Sequence, residues 1–329
     1  MCAREVEIDI ERALFHPSGF GSMWTDVCPS EGCFGRHTFS LFGRKQRPVK
    51  RPLPPAKHPY SWKHGSEQGG FDLKVAAAVA AALGKKLTIQ WFETENEEES
   101  FPDREANALI SAGLCDLVAG YPMFGGALAE PASETALLPG HEGQNPATRH
   151  QFVELGVLAP SRPYHHAPLQ VIVGPKGWGR LIETLSDLNG LSLGAEQGTL
   201  TDTIFMAYRA GYMASRVIHV VPQSGILSRL EEGAFDAILI ELHRFDAYRR
   251  KHPDTQLRAT NYRHALGFNM GFVGLKSRPD LLAQVNDVID SLVTEEKFAP
   301  LADSVGMTFI PPNEPEILDR ISPGHLFGG

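Results

Sequence analysis

The densest run of side chains suited to chemistry is Gln197, Gly198, Thr199, Leu200, Thr201 and Asp202. Hydroxyl and carboxylate residues just ahead of an apolar-periodic stretch are N-cap types, and the helix they open presents N–H groups that can hold an anionic or acceptor-rich ligand. Plain capping, with Thr199 or Thr201 closing the helix on itself, is the equal alternative. Other reactive types are scattered. Cys28 and Cys33 enclose a short Pro/Ser/Glu/Gly segment that could close into a disulfide loop in an oxidising compartment. Cys115, between Leu114 and Asp116 at the head of an apolar segment, reads as a small core residue, and Cys2 as either a lipid-modified residue or a bystander thiol. Zinc needs two more ligands at defined spacing, which neither Cys2 nor Cys115 supplies. His165 and His166 are adjacent, and neighbours on an extended segment point in opposite directions, so a two-histidine chelate is not expected.

The chain contains no His-Glu-x-x-His helix, Walker loop or dinucleotide glycine fingerprint. With 31 Lys and Arg against 39 Asp and Glu, a formal charge of −8 and no dense basic face, it lacks the phosphate-neutralising surface that nucleic-acid binding requires. The basic cluster from Arg44 to Arg51 is interleaved with prolines and reads as a solvated loop. No run approaches the roughly 18 apolar residues that would span a bilayer. The opening residues do not read as a secretory leader, so the expectation is either a cytoplasmic protein or one whose leader has been trimmed.

These residues need elements to position them, and 329 residues are enough for two cores of ordinary size. Residues 1–58 show only one alternating stretch, at 5–10. From Phe71 onward the signals sharpen: Phe71, Val75, Val79, Ala82 and Leu83 recur on one helical face and Gly84 supplies a stop. Strands are expected at 87–92, 117–119, 170–173, 191–195, 217–221, 237–240 and 267–275. Helices are expected at 71–83, 104–112, 181–188, 200–210, 226–232, 245–251, 281–295 and 298–304, with 254–264 irregular and 129–151 loop-like. Such alternation predicts an α/β fold whose parallel strands are joined by crossover helices.

The order of short motifs within this pattern resembles the type II periplasmic solute-binding proteins, specifically the family of polar amino-acid binders of ABC importers (extracellular solute-binding protein family 3). The resemblance covers residues 60–305. It is carried by Gly70-Phe71-Asp72-Leu73 with the following Ala/Val helix and Leu83-Gly84-Lys85-Lys86-Leu87, and by Leu109-Ile110-Ser111-Ala112-Gly113 before Cys115-Asp116-Leu117-Val118-Ala119-Gly120. Pro163-Tyr164, then Leu185-Ser186-Asp187-Leu188-Asn189-Gly190 with Gln197-Gly198-Thr199, and finally Leu230-Glu231-Glu232-Gly233 before Asp236-Ala237, complete the series.

The resemblance implies two Rossmann-like lobes joined by two crossover segments, a type II periplasmic binding protein fold with a ligand cleft between the lobes. Lobe one would combine 1–163 with 267–329, and lobe two would be 164–266. It implies a monomeric, periplasmic, non-enzymatic protein, its signal peptide removed, that captures a small solute by hinge closure and needs no cofactor. Its partner would be an ABC permease, or a periplasmic quinoprotein dehydrogenase for which the chain is an accessory. Tyr60, Trp62, Tyr121, Phe124 and Tyr164 fall where the family supplies cleft walls, suited to flat or cationic solutes, with about three of the five expected to line the cleft. Glu241 falls where members place a carboxylate that grips a ligand cation; a surface carboxylate at a strand end is the alternative. One departure is plain: where amino-acid binders carry Thr-x-x-x-Arg, this chain reads Tyr121-Pro122-Met123-Phe124-Gly125-Gly126-Ala127, so an α-amino acid is not the favoured ligand. The same gap disfavours a cyclohexadienyl dehydratase-like lyase with Glu241 as proton donor. The gap points to a divergent branch of the family, and the solute expected is a small polar or aromatic one.

Overall fold

A computed structural model describes residues 10–11, 59–92, 102–131, 135–143, 151–221, 225–322 and 324–325. Cys2, Cys28, Cys33 and the basic cluster lie outside the described residues, and so does most of the alternating stretch at 5–10. The elements in chain order are β1 (Ile10–Glu11), β2 (Trp62–His64), β3 (Glu67–Gly69), α1 (Phe71–Ala82), β4 (Leu87–Thr88), α2 (Pro102–Ser111), β5 (Leu117–Pro122), α3 (Gly125–Leu128), β6 (Thr135–Leu137), β7 (Phe152–Glu154), β8 (Leu158–Val173), β9 (Leu193–Glu196), α4 (Leu200–Ala207), β10 (Val217–Val220), α5 (Ile226–Glu231), β11 (Ala237–Glu241), α6 (Leu242–Lys251), β12 (Arg258–Leu275), α7 (Pro279–Thr294) and α8 (Phe298–Asp303).

Helix α1 shows how local sequence sets an element. Phe71, Val75 and Val79 come round every fourth residue and are buried to 1% or less. Gly84 then adopts φ +65°, and the N–H groups of Gly84 and Lys85 donate to Ala81 O and Ala80 O, the paired contacts of a left-handed helix stop. Helix α4 ends earlier than expected, because Arg209 and Ala210 take φ of 45° and 56°. The helix expected at 181–188 is only a short 3-10 turn, Leu185–Leu188. Thr184 and Asp187 bond reciprocally at its start, and its last carbonyls are met at once by Asn189 and Leu191. The strand expected at 87–92 shrinks to β4, which pairs in parallel with β1, plus an isolated bridge from Phe92 to His141.

A six-stranded sheet in the order β10-β9-β11-β8-β12-β5 runs through the molecule. Strand β9 is parallel to β10 and β11, as the crossover helices α4 and α5 require, while β11–β8, β8–β12 and β12–β5 are antiparallel. The sheet is therefore mixed rather than parallel throughout. Its largest departure from the sequence reading is the length of β8, 16 residues, and β12, 18 residues, several times the usual strand of about 5–6. In β8 the prolines and histidines Pro160, Pro163, His165, His166 and Pro168 mask a strand that is buried almost throughout. In β12 the inward positions of the supposedly irregular stretch are Tyr262, His264 and Leu266, alternating with exposed neighbours, so the period of two is present but its hydropathy is weak.

The core changes along these two strands. Tyr164 and Ala167 of β8, with Leu266, Phe268 and Phe272 of β12, pack with α1, α7 and α8. Further along β8, Leu169, Val171 and Val173 pack instead with α4, β9 and β11, joined by Tyr262 from β12, while Ile172 on the opposite face packs with α5 and α6. A fourth cluster under β5 holds Ala106, Leu109, Cys115, Val118 and Val273. Cys115 is 4% exposed there, in keeping with its reading as a core residue. The insertion at 129–151 is not merely a loop: β6 pairs antiparallel with β7, and Ala136 and Leu138 are buried against α2.

Candidate ligand cleft

Parallel strands deliver their C-terminal ends to one edge of a sheet, where the turns into the following helices converge. Here β9 ends at Glu196 and β11 at Glu241, leading into α4 and α6. Next to the start of α6 stands Tyr60, whose carbonyl also accepts the Asp72 N–H at the start of α1. The ring of Tyr60 is 4.6 Å from that of His243 at the start of α6, and Leu200, first residue of α4, packs on the core clusters of both halves.

The N-terminus of α4 is capped by its own residues. Thr199 Oγ1 accepts the N–H of Asp202 at 3.3 Å and donates to Glu196 O at 2.7 Å, while Thr201 Oγ1 lies 3.0 Å from Thr199 Oγ1. Asp202 accepts the Gly198 N–H at 3.0 Å and pairs with His219 Nε2 at 2.8 Å. The capping alternative for this segment is thus what the geometry displays, and a carboxylate already stands at the positive end of the helix. Gln197 and Gly198 are exposed at the tip, Thr199 is half-buried, and Thr201 and Asp202 are buried.

Arg244, in the first turn of α6, bridges the ends of β9 and β11. Its guanidinium forks onto Glu196, with N–O distances of 2.7 and 3.0 Å, and lies 3.5 Å from Glu241. Burial works against its charge, yet Glu241 and Glu196 outweigh that and hold it more firmly protonated than a free arginine. Glu241, expected to face a ligand cation, thus already faces an internal one. Sequence reasoning missed Arg244 because it sought an arginine only after β5; the signal was an arginine three residues beyond Glu241, at the start of a helix.

The aromatic candidates separate. Tyr164 is fully buried: its hydroxyl donates to Asp72 Oδ1 at 2.8 Å and accepts the Gly120 N–H at 2.7 Å, and its ring packs on Phe272. Tyr121 is 1% exposed, with its hydroxyl on Ala127 O at 2.9 Å. Both are core residues rather than cleft walls, because the antiparallel pairing of β5 and β8 with β12 turns them under the helices. Tyr60 is buried between the halves, 3.2 Å from His165 Nε2. Trp62 and Phe124 are half-buried and keep open surface, Phe124 with its ring edge-on to Phe268.

A second residue absent from the sequence-based set is Asp72, used there only as part of a motif. It is 1% exposed and accepts from Ser61 Oγ at 3.0 Å as well as from Tyr164. Burial pushes its carboxyl up to about 7, against these two hydrogen bonds, which lower it. Burial, and after it the neighbouring Asp72, push the Tyr60 and Tyr164 hydroxyls up, so both stay protonated. Burial also depresses His165 to about 3, leaving a neutral ring whose Nδ1 accepts from the Ile310 N–H. His166 turns the other way, toward Asn269 Oδ1 at 3.0 Å.

No protein-family profile matches the chain, and no curated protein matches it. Solved structures do. The unliganded, open L-cystine solute receptor of Neisseria gonorrhoeae superposes with a TM-score of 0.52 at 18% identity, over 78% of this chain and 91% of that one. The second substrate-binding domain of a putative amino acid ABC transporter from Streptococcus pneumoniae gives 0.51 at 16% identity, over 75% and 94%. The open second substrate-binding domain of Lactococcus lactis GlnP gives 0.51 at 15%, over 75% and 90%. The chain has the periplasmic-binding-protein fold. Within that fold, β8 and β12 each contribute to the two core clusters on which Leu200 packs, and Tyr60 stands against His243, the residue before Arg244.

Proposed function

We propose that this protein is an extracytoplasmic solute-binding protein, a divergent relative of the family 3 binders, that captures a small polar or aromatic solute between two lobes. Lobe one comprises 1–163 with 267–329 and lobe two 164–266. Hinge closure about β8 and β12 encloses the solute, which passes to an ABC importer. The observation that carries this reading is the change of core along both strands, which leaves them the sheet connection between two separately packed halves. Gln197, Thr199, Thr201, Asp202, Glu241, Trp62 and Phe124 then border the cleft, and Arg244 joins them as the cation able to meet an acidic or hydrogen-bond-accepting group. Native mass spectrometry of freshly purified protein, followed by denaturation, tests it. A stoichiometric released solute, bound more weakly after Arg244→Ala, is the expected result; an empty protein that no solute panel stabilises counts against it.

The self-satisfied state of the cleft favours one second reading. Arg244 is matched by Glu196, α4 is capped by Asp202, and Tyr60 meets His243 directly. An accessory protein that keeps the lobes but docks on an enzyme, such as a periplasmic dehydrogenase, would look like this. Co-purification with an empty cleft distinguishes the two.

A further inference from the structure

Beyond α8 the chain does not stop, and residues 307–321 take a path outside the stretch that resembles the binding-protein family. Their contacts alternate between the two halves. Thr308 bonds through both N–H and Oγ1 to Asp246 of α6, at 2.7 and 2.9 Å. Phe309 stacks on Phe298 and lies against Phe71, in the core of the first half, while Ile310 is buried with Phe245 and Leu257 in the core of the second. Successive residues of an extended segment point to opposite sides, so a single dipeptide reaches both cores.

The same segment then grips the two long strands on the first-half side of the point where their cores change. Ile310 accepts the backbone N–H of His166 at 2.9 Å and donates to His165 Nδ1 at 3.5 Å, both on β8. On β12, Asn269 is the anchor. Its Oδ1 accepts the Asn313 N–H at 2.9 Å, and its Nδ2 reaches the carbonyls of Asn313 at 2.7 Å, Glu316 at 3.0 Å and Pro315 at 3.3 Å. The path ends on the first half, where Leu318 donates to Met123 O at 3.0 Å and accepts the Gly125 N–H at 2.9 Å.

We propose that residues 308–319 are a brace laid across the hinge strands, so that the two lobes separate only when this segment detaches. The inference rests on the two-lobe reading above. A hinge works by dihedral change in the connecting strands; here the strands are bonded at His165, His166 and Asn269 to a segment that is itself fixed at Asp246 on one side and at Met123 and Gly125 on the other. Any rotation about β8 and β12 must break one set of these contacts. Solute entry is therefore gated by detachment of the chain's own C-terminal segment, and apparent affinity falls with the fraction of molecules in which it is attached.

Two variants test this. Truncation after Pro311 removes the Asn269 and Met123 anchors but keeps the buried Phe309 and Ile310. Asn269→Leu in the full chain removes the polar anchor at similar volume. Amide hydrogen exchange and small-angle X-ray scattering are compared with the wild type. The brace predicts at least tenfold faster exchange confined to residues 163–168 and 266–271, unchanged rates at Val171, Ile238, Val118 and Val273, and a larger radius of gyration. Unchanged hinge exchange with an unchanged scattering curve overturns it, and so does acceleration spread evenly over those four core amides, which would make the segment ordinary core packing. The two-lobe reading is judged separately in the wild type. Exchange in rising urea should place Val171 and Ile238 in one unfolding unit and Val118 and Val273 in another, and a single unit sinks that reading whatever the segment does.

Discussion

Gly120 and Asp72 meet so closely that no side chain fits between them: a Cβ on Gly120 would lie 2.7 Å from Asp72 Oδ2. Gly120 also holds φ at +68°, in the region that side chains other than glycine's resist. Gly120→Ala therefore combines backbone strain with a clash against a buried carboxylate, and should cost about 2–4 kcal/mol. Urea unfolding of the two proteins, with the slope checked for constancy, measures it.

Tyr164→Phe keeps the ring packing and deletes one oxygen that serves two partners. Asp72 Oδ1 loses a donor and the Gly120 N–H loses its acceptor, both away from water. The expected loss is about 1–3 kcal/mol, more than a surface Tyr→Phe change would produce. A reduction within experimental error of zero would show that water replaces the hydroxyl.

The Asp72 carboxyl gives stability a definite pH dependence. Its native pKa of about 7 is above the ordinary 3.8, so between those values the folded protein keeps a proton that the unfolded chain has released. Its contribution is complete below about pH 4 and is lost as pH rises through about 7. The buried neutral rings of His165 and His166 act in the opposite direction, their contribution falling away as pH drops below about 6.5. Asp72→Asn removes only the first effect. Melting temperatures from pH 4 to 8 should show the variant gaining on the wild type as pH rises, with the gain levelling off above about pH 7.

Arg244→Ala leaves Glu196, 5% exposed, without the guanidinium that holds both its oxygens. The guanidinium is itself partly open to solvent, so the cost should be about 1–3 kcal/mol rather than that of a wholly buried pair. Glu241→Gln touches only the longer 3.5 Å contact and should cost well under about 1 kcal/mol. Equal losses in chemical denaturation would mean that Arg244 moves between the two carboxylates.

Helix α1 was readable because Phe71, Val75 and Val79 declare a period and Gly84 declares an end, and the buried Cys115 could be placed from its apolar neighbours. The full spans of β8 and β12 were not readable, since histidine, proline, tyrosine and asparagine occupy positions that burial, not hydropathy, defines. At the cleft, Glu241 and the Gln197–Asp202 turn stand out by residue type alone. The self-capping is local and was one of the two readings that the turn itself offered, whereas the fork of Arg244 onto Glu196 joins α6 to β9, distant in the chain and invisible to any local pattern. Tyr121 and Tyr164 illustrate the same limit from the other side. A tyrosine on a strand can turn toward a cleft or under a helix, and only the pairing partner of the strand decides which.

The pairing of β5 with β12 also bears on how the molecule is made. A ribosome delivers β5 long before its sheet neighbour exists, and β8 likewise waits for both β11 and β12. Contacts of such wide sequence separation form late and slowly. The nascent chain thus carries an unfinished sheet edge until its last third has emerged, which lengthens the interval in which it is competent for threading through a narrow pore and, equally, open to capture by chaperones.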